Sequence, residues 1–233
     1  TKWTARELLN ASIEVAKALF GAGIKKGDVV SVVSENRVEF IFIAYGAFML
    51  NAVLAPLNPN YSERELRRDL KLIKYIKLLG ELKHGLDLSK PKIIFISSSA
   101  NKSVIPICKD LSSIKQIVVL DESPNNSGII SLKTFISSNA DINLNIYKHV
   151  RQSINMKNQT AVILLSSGTT GIPKGCEITQ HNMIACISAY QKRTKFLKKF
   201  KDESIVLNMT PWFHVMGLVN IFSILLINGA SWA

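Results

Sequence analysis

The chain has 233 residues, 47% of them hydrophobic, which is enough for one large domain or two small ones around a sizeable core and excludes a disordered class. Lysine and arginine number 29 against 17 acidic residues, and the net charge of +12 suits an anionic partner such as a nucleotide, a nucleic acid or a membrane surface. Much of the excess lies in two clusters, Arg64 to Lys77 and Gln191 to Lys201, with no arginine- or glycine-rich tract and no interleaved aromatic ladder, so it reads as solvated helix faces and no nucleic-acid partner is expected.

Thr4 and Glu7 form a T-x-x-E capping box, and Leu8, Leu9, Ile13, Ala16 and Leu19 follow at helical spacing until Gly21 and Gly23 supply the stop. "DVVSVVS", Asp28 to Ser34, is a β-branched run that predicts a strand. The stretch from Phe40 to Leu57 is nearly uncharged and close to membrane-spanning length. Asn51 interrupts it and Pro56 closes it, so it reads as a buried helix, Arg37 to Leu50, followed by a short strand, Ala52 to Pro56, and no transmembrane span is expected.

Three further runs, "PKIIFIS", "IKQIVVLD" and "TAVILLSS", begin at Pro91, Ile114 and Thr160 and have the unbroken apolar character of strands buried on both faces. Between the second and third, Asp121 to Asn145 is rich in Ser, Asn, Asp and Gly and reads as surface loop around a short amphipathic piece. Thr179 is the expected N-cap of a helix reaching Arg193; "SIVLNMTP" reads as another strand and "GLVNIFSILLING" as an apolar helix ending at Gly229. Alternating strands and helices predict α/β architecture, with largely parallel sheet flanked by helices. Cys108, Cys176 and Cys186 lack the short spacing of a zinc or redox motif and are expected to be small buried thiols in a reducing compartment; no protein metal site is expected. The sequence starts at Thr1 without a signal segment, and the natural N-terminus is expected to lie upstream.

One stretch demands a chemical reason: "LLSSGTTGIPKG", Leu164 to Gly175. A strand ending near Ser166 would point its carboxyl end at the crevice where open α/β sheets bind ligands. Gly168 and Gly171 lack a Cβ and let backbone N–H groups approach an anion. Ser166, Ser167, Thr169 and Thr170 add hydroxyl donors, Pro173 stiffens the turn, and Lys174 brings a mobile positive charge. The set suits the β- and γ-phosphates of a nucleoside triphosphate, although the spacing is not that of a Walker A loop.

These residues resemble the signature of the adenylate-forming (AMP-binding) superfamily, which includes acyl-CoA synthetases, 4-coumarate–CoA ligases and beetle luciferases. Asn58 to Ser62 resembles the family's N-P-x-Y-[ST] segment, Leu86 to Ser97 its next strand and "PWFHVMGL", Pro211 to Leu218, its acyl-pocket motif, all in the family's order. The wording is most similar to insect ligase-like and luciferase-like members. The resemblance implies residues 1–233 as one partial N-terminal AMP-binding domain. The activity it implies is a carboxylic acid joined to AMP at the expense of ATP, with Mg²⁺, and then to CoA. His214 is implied beside the carboxylate and α-phosphate, with Lys174 also catalytic and Met216 and Gly217 against the acyl group. Met216 stands where ligase and luciferase members tend to carry an aromatic residue, which weakens a hydroxycinnamate or luciferin substrate and leaves fatty or other aryl acids open.

Two departures accompany the resemblance. The pair Glu-Leu occurs at Glu65 and again at Glu81, and the stretch between, about residues 67–82, is extra to the family pattern. It can form an amphipathic helix with Leu72, Ile73, Ile76 and Leu79 on one side and Lys71, Lys74 and Lys77 on another, as a tolerated insertion, a gene-model artefact or a membrane-surface or partner helix. The family's adenine, ribose and hinge segments and its C-terminal domain fall beyond Ala233, so the chain as given is expected to be inactive alone. The alternatives are a non-catalytic nucleotide-binding remnant or interaction scaffold, and a luciferase-like monooxygenase. A peroxisomal or cytoplasmic location follows only from the resemblance, and the oligomeric state is open.

Overall fold

The first helix, α1 (Ala5–Gly21), starts where Thr4 and Glu7 satisfy each other's backbone, with Glu7 N–H on Thr4 Oγ1 at 3.2 Å and Thr4 N–H on Glu7 Oε2 at 2.7 Å. Ala22 is its C-cap, and Gly23 adopts a φ of 82° beyond it. This computed structural model describes residues 2–59, 68–121, 128–146, 155–166, 173–193, 205–226 and 231–232.

The apolar runs become β1 (Val29–Val33), β2 (Val53–Leu57), β3 (Ile93–Ile96), β4 (Gln116–Val119) and β6 (Thr160–Ser166). With β5 (Ile129–Ser131) and β7 (Lys174–Thr179) they build a seven-stranded sheet in the order β5-β4-β3-β1-β2-β6-β7. The described pairs are parallel except β6 with β7. The α/β expectation therefore holds, with one antiparallel edge. Among the described residues, β8 (Ile205–Val206) and β9 (Ser231–Trp232) form a separate parallel pair.

Helix α2 (Val38–Met49) carries the chain from β1 to β2, and α3 (Arg68–Ser89) carries it back across β1 to β3. Right-handed crossovers running in opposite directions place their helices on opposite faces. The core divides accordingly. Val30, Val32, Leu54, Phe95 and Val118 pack with α1, α2 and α5 (Leu132–Ser137), whereas Val33, Ile94, Ile96 and Val119 pack with α3 and α4 (Asn101–Lys109). Successive strand residues point to opposite faces, so a strand covered on both must be apolar throughout. Each fully buried Ile or Phe contributes roughly 1.5–3 kcal/mol.

The apolar stretch after Phe40 is core: Phe40, Ile41, Ile43, Ala44 and Ala47 are all buried. Gly46 lets α2 approach α1 closely, since a Cβ there would meet Val15 Cγ1 at 2.9 Å and Ala16 N at 3.1 Å. Among the described residues no helix is long and apolar enough to cross a membrane.

Several expectations need correction. The loop after Asp121 contains β5, three residues long and too short to show a period, entered through Gly128 at a φ of 86°. The strand expected over "SIVLNMTP" is described only at Ile205–Val206; Leu207 and Met209 beyond it are 67% and 80% exposed. Helix α6 (Gln180–Arg193) begins after Thr179 as expected, with Asn182 N–H on Thr179 Oγ1 at 3.2 Å. Helix α7 (Val215–Leu226) begins two residues before the expected Gly217. Cys108 is buried, but Cys176 and Cys186 are exposed: β7 is an edge strand, and Cys186 lies on an outer face of α6.

Candidate functional site

Sheets of this kind bind ligands where the chain leaves neighbouring strands in opposite directions. One such place lies between β2, which leads back over β1, and β6, which turns outward into β7. Strand β2 pairs with β6 at a single register, Leu54 with Val162. Beyond it comes Pro56, which has no N–H with which to extend the ladder toward β6. The strands part there. The gap is a cavity of about 500 Å³ lined by Pro56, Leu57 and Asn58 from the end of β2 and by Leu164, Leu165 and Ser166 from the end of β6.

Further walls come from distant sequence. Pro173, Cys176 and Ile178 enter from the edge strand, Glu81 from α3, and Phe213, His214 and Val215 from the turn into α7. His214 is the residue before α7, and its carbonyl accepts from Leu218 N–H at 2.9 Å. Its Nδ1 faces Met216 N–H at 3.5 Å, a long contact. In either tautomer the imidazole carries a ring N–H that can serve as a donor.

Ser166 faces Lys174 in the β6–β7 register, and Ser166 Oγ donates to the Lys174 carbonyl at 3.3 Å. His84 on α3 supports the same place, with Nε2–H on the Pro173 carbonyl at 2.8 Å. Gly85 allows this approach, since a Cβ there would meet Leu165 Cδ1 at 2.7 Å. Helix α3 thus rests on the cavity through its C-terminal half.

A second reversal of direction, between β1 and β3, is filled. Arg37 bridges Glu39 at 2.8 Å and Asp121 at 3.0 Å and approaches Glu35 at 3.6 Å. Asp121 also accepts from Ser98 N–H at 3.0 Å and Ser98 Oγ at 2.6 Å. Burial pushes the Asp121 carboxyl up, but hydrogen bonds from Arg37 and Ser98 outweigh it and hold the pKa at about 2. Hydrogen bonding to Glu39 leads the causes that raise the Arg37 guanidinium.

Of the residues singled out in the sequence, Ser166 and His214 come together on one cavity. Lys174 is exposed at the start of β7 and is not on the cavity wall. Ser167, Gly168, Thr169, Thr170 and Gly171 lie outside the described residues. Met216 is 60% exposed and off the wall. Gly217 is buried for a local reason, because a Cβ would collide with the Pro211 carbonyl. The implied acyl contact of these last two is thus not a feature of the cavity. Sequence reasoning missed Pro56, Glu81 and Cys176; only Pro56 gave a signal, as a proline ending an otherwise regular strand. Among the described residues no cluster of His, Cys, Asp and Glu could hold a metal ion.

A family model described as AMP-binding enzyme matches residues 1–232. The chain is 31% identical to a luciferin 4-monooxygenase of Photuris pensylvanica over 91% of its length and 36% of that protein's. It is 29% identical to a probable 4-coumarate–CoA ligase of Dictyostelium discoideum over 88% of its length and 35% of the relative's. A solved structure of a putative long-chain-fatty-acid CoA ligase from Rhodopseudomonas palustris superposes with a TM-score of 0.78 at 20% identity, covering the whole chain and 51% of that protein, and shows the shared fold. The chain spans about 36% of the first curated relative it matches.

Proposed function

The chain belongs to the AMP-binding enzyme family, and from that premise we propose that it is the N-terminal part of an acyl- or aryl-CoA synthetase whose acid and triphosphate meet in the β2/β6 cavity. The observation that carries this reading is the convergence of Ser166 and His214, remote in sequence, on one cavity at the carboxyl ends of two strands. Its volume falls within the range of small-molecule sites. Beside Glu81, its polar lining includes the Ser166 hydroxyl, the Asn58 amide and the His214 imidazole, groups able to meet phosphate and carboxylate oxygens.

As substrates, ATP supplies the α-phosphorus that a carboxylate attacks, releasing pyrophosphate, and CoA supplies the thiol that displaces AMP to leave a thioester. The chain's own part is orientation and charge. Ser166 brings a hydroxyl to the end of β6, and Lys174, exposed at the start of β7, adds a cation for the departing pyrophosphate. His214 holds an oxygen of the carboxylate or α-phosphate through a ring N–H, beside the apolar walls Leu164, Leu165 and Phe213. Mg²⁺ enters as the counterion of ATP.

The test is ATP–pyrophosphate exchange and ATP titration with a panel of benzoate, 4-coumarate, octanoate and dodecanoate, on this chain and on one extended at its C-terminus. His214→Ala is expected to reduce exchange by roughly 100-fold or more while the fold is kept. ATP affinity or exchange unaffected by His214→Ala would remove the residue from the mechanism. A luciferase-like oxygenase is the second reading, favoured by the similarity to the Photuris protein. Light emission with an oxidisable acid would distinguish it.

A further inference from the structure

We propose that Asn36 is a positioning residue for His214, tying the segment that bears it to the carboxyl end of β1. Asn36 lies between β1 and the N-cap of α2 and uses both halves of its amide on one distant segment. Nδ2 donates to the Thr210 carbonyl at 2.9 Å, and Oδ1 accepts from Trp212 N–H at 2.9 Å. A carboxylate or hydroxyl of similar reach does not present a fixed donor and a fixed acceptor side by side.

The two bonds straddle Pro211 and hold the backbone on both sides of it. The Pro211 carbonyl accepts from His214 N–H at 3.1 Å and packs over the bare Cα of Gly217. The Trp212 side chain is buried edge-on against Phe40 with centroids 5.8 Å apart. Upstream, Asn208 Oδ1 accepts from Thr210 Oγ1 at 2.8 Å. Among the described residues, the long Met216 contact is the hydrogen bond made by the His214 ring, so its place on the cavity wall follows from the backbone of residues 210–214. Asn36 fixes that backbone without touching the cavity. Its relevance to chemistry rests on the function proposed above; the clamp itself rests on the geometry.

The experiment uses the full chain with 15N-labelled histidine and records the ring resonances of wild type, Asn36→Ala and Asn36→Asp. The His214 signals are assigned by their loss in His214→Gln, and His181 on α6 serves as internal reference. Asn36→Ala is expected to shift or broaden the His214 ring signals, leave His181 unmoved and accelerate Trp212 amide exchange roughly three- to ten-fold. Asn36→Asp keeps the acceptor and loses the donor, so Trp212 stays protected while His214 still moves. His214 signals coincident with wild type in Asn36→Ala, despite faster Trp212 exchange, would overturn the proposal. If Asn36→Ala does not fold, Asn36→Asp decides by the same comparison. ATP added to the same wild-type sample reports on the functional reading separately: no binding defeats that reading, while the His214 response still decides this one.

Discussion

Two crevices open at the carboxyl ends of the same sheet, and the chain treats them oppositely. Between β1 and β3 the space is occupied by Arg37 and three acidic groups, Glu35, Glu39 and Asp121, held to one another and to Ser98. Between β2 and β6 the space is a cavity of about 500 Å³ in which the His214 ring makes one long contact among the described residues. A side chain satisfied on every side stabilises the fold. One left with an unused donor on a cavity wall is free to meet a ligand. The difference teaches that a switch point in an α/β sheet offers a site without requiring one.

The sharpest way to break this contrast is to exchange the roles. Arg37→Ala leaves clustered carboxylates without their cation and should cost about 2–3 kcal/mol in urea unfolding, reduced from the value for a fully buried pair because the site is partly exposed. His214→Ala should cost under about 0.5 kcal/mol in the same measurement. Equal losses would mean that His214 is as structural as Arg37.

The filled crevice should also reveal itself by pH. The Asp121 carboxyl is held at about 2, below its ordinary value of 3.8, so its contribution is complete above pH 4 and disappears as pH falls through 2. Screening limits the effect to about 1–2 kcal/mol, since the side chain is 34% exposed. Asp121→Asn should flatten the stability profile between pH 4 and 2. A profile as steep as that of wild type would assign the acid sensitivity to other carboxylates.

How much of this was legible depends on where the information resides. The capping box at Thr4, the two-faced apolar runs and the helix beginning after Thr179 are local patterns, and the structure has them where the sequence put them. The convergence of Ser166 with His214 was reachable only through resemblance, because nothing local says that β6 and the turn before α7 meet. Strand β7 was hidden because Lys174 to Thr179 mixes polar and apolar residues at an exposed edge without a core-facing period. The Arg37 network joins residues from the ends of β1 and β4, and no spacing in the sequence announces it.

The open crevice should close if its proline is removed. Pro56→Val restores an N–H beyond the Leu54 and Val162 pair, allowing β2 and β6 to continue pairing. The expected gain is at most about 1 kcal/mol in stability. The more telling result is slow amide exchange at position 56, on the timescale of Leu54. Fast exchange there would show that something other than the missing donor holds the strands apart.

The smallest effect uses the cysteines as reporters. Cys108 is buried, and burial pushes its thiol up to about 12, so an alkylating reagent should reach it only on unfolding. Cys176 and Cys186 are both exposed, and of the two only Cys176 borders the cavity. Without ligand the two should react at rates within a few-fold of each other, as exposed thiols do. ATP or a bound carboxylic acid should then slow Cys176 several-fold and leave Cys186 unchanged, a difference that labelling followed by mass spectrometry can resolve. Equal slowing at both would indicate a global change in the protein. Ligand binding with Cys176 still fully reactive would place the ligand elsewhere, and the open crevice would then be a packing gap left by Pro56.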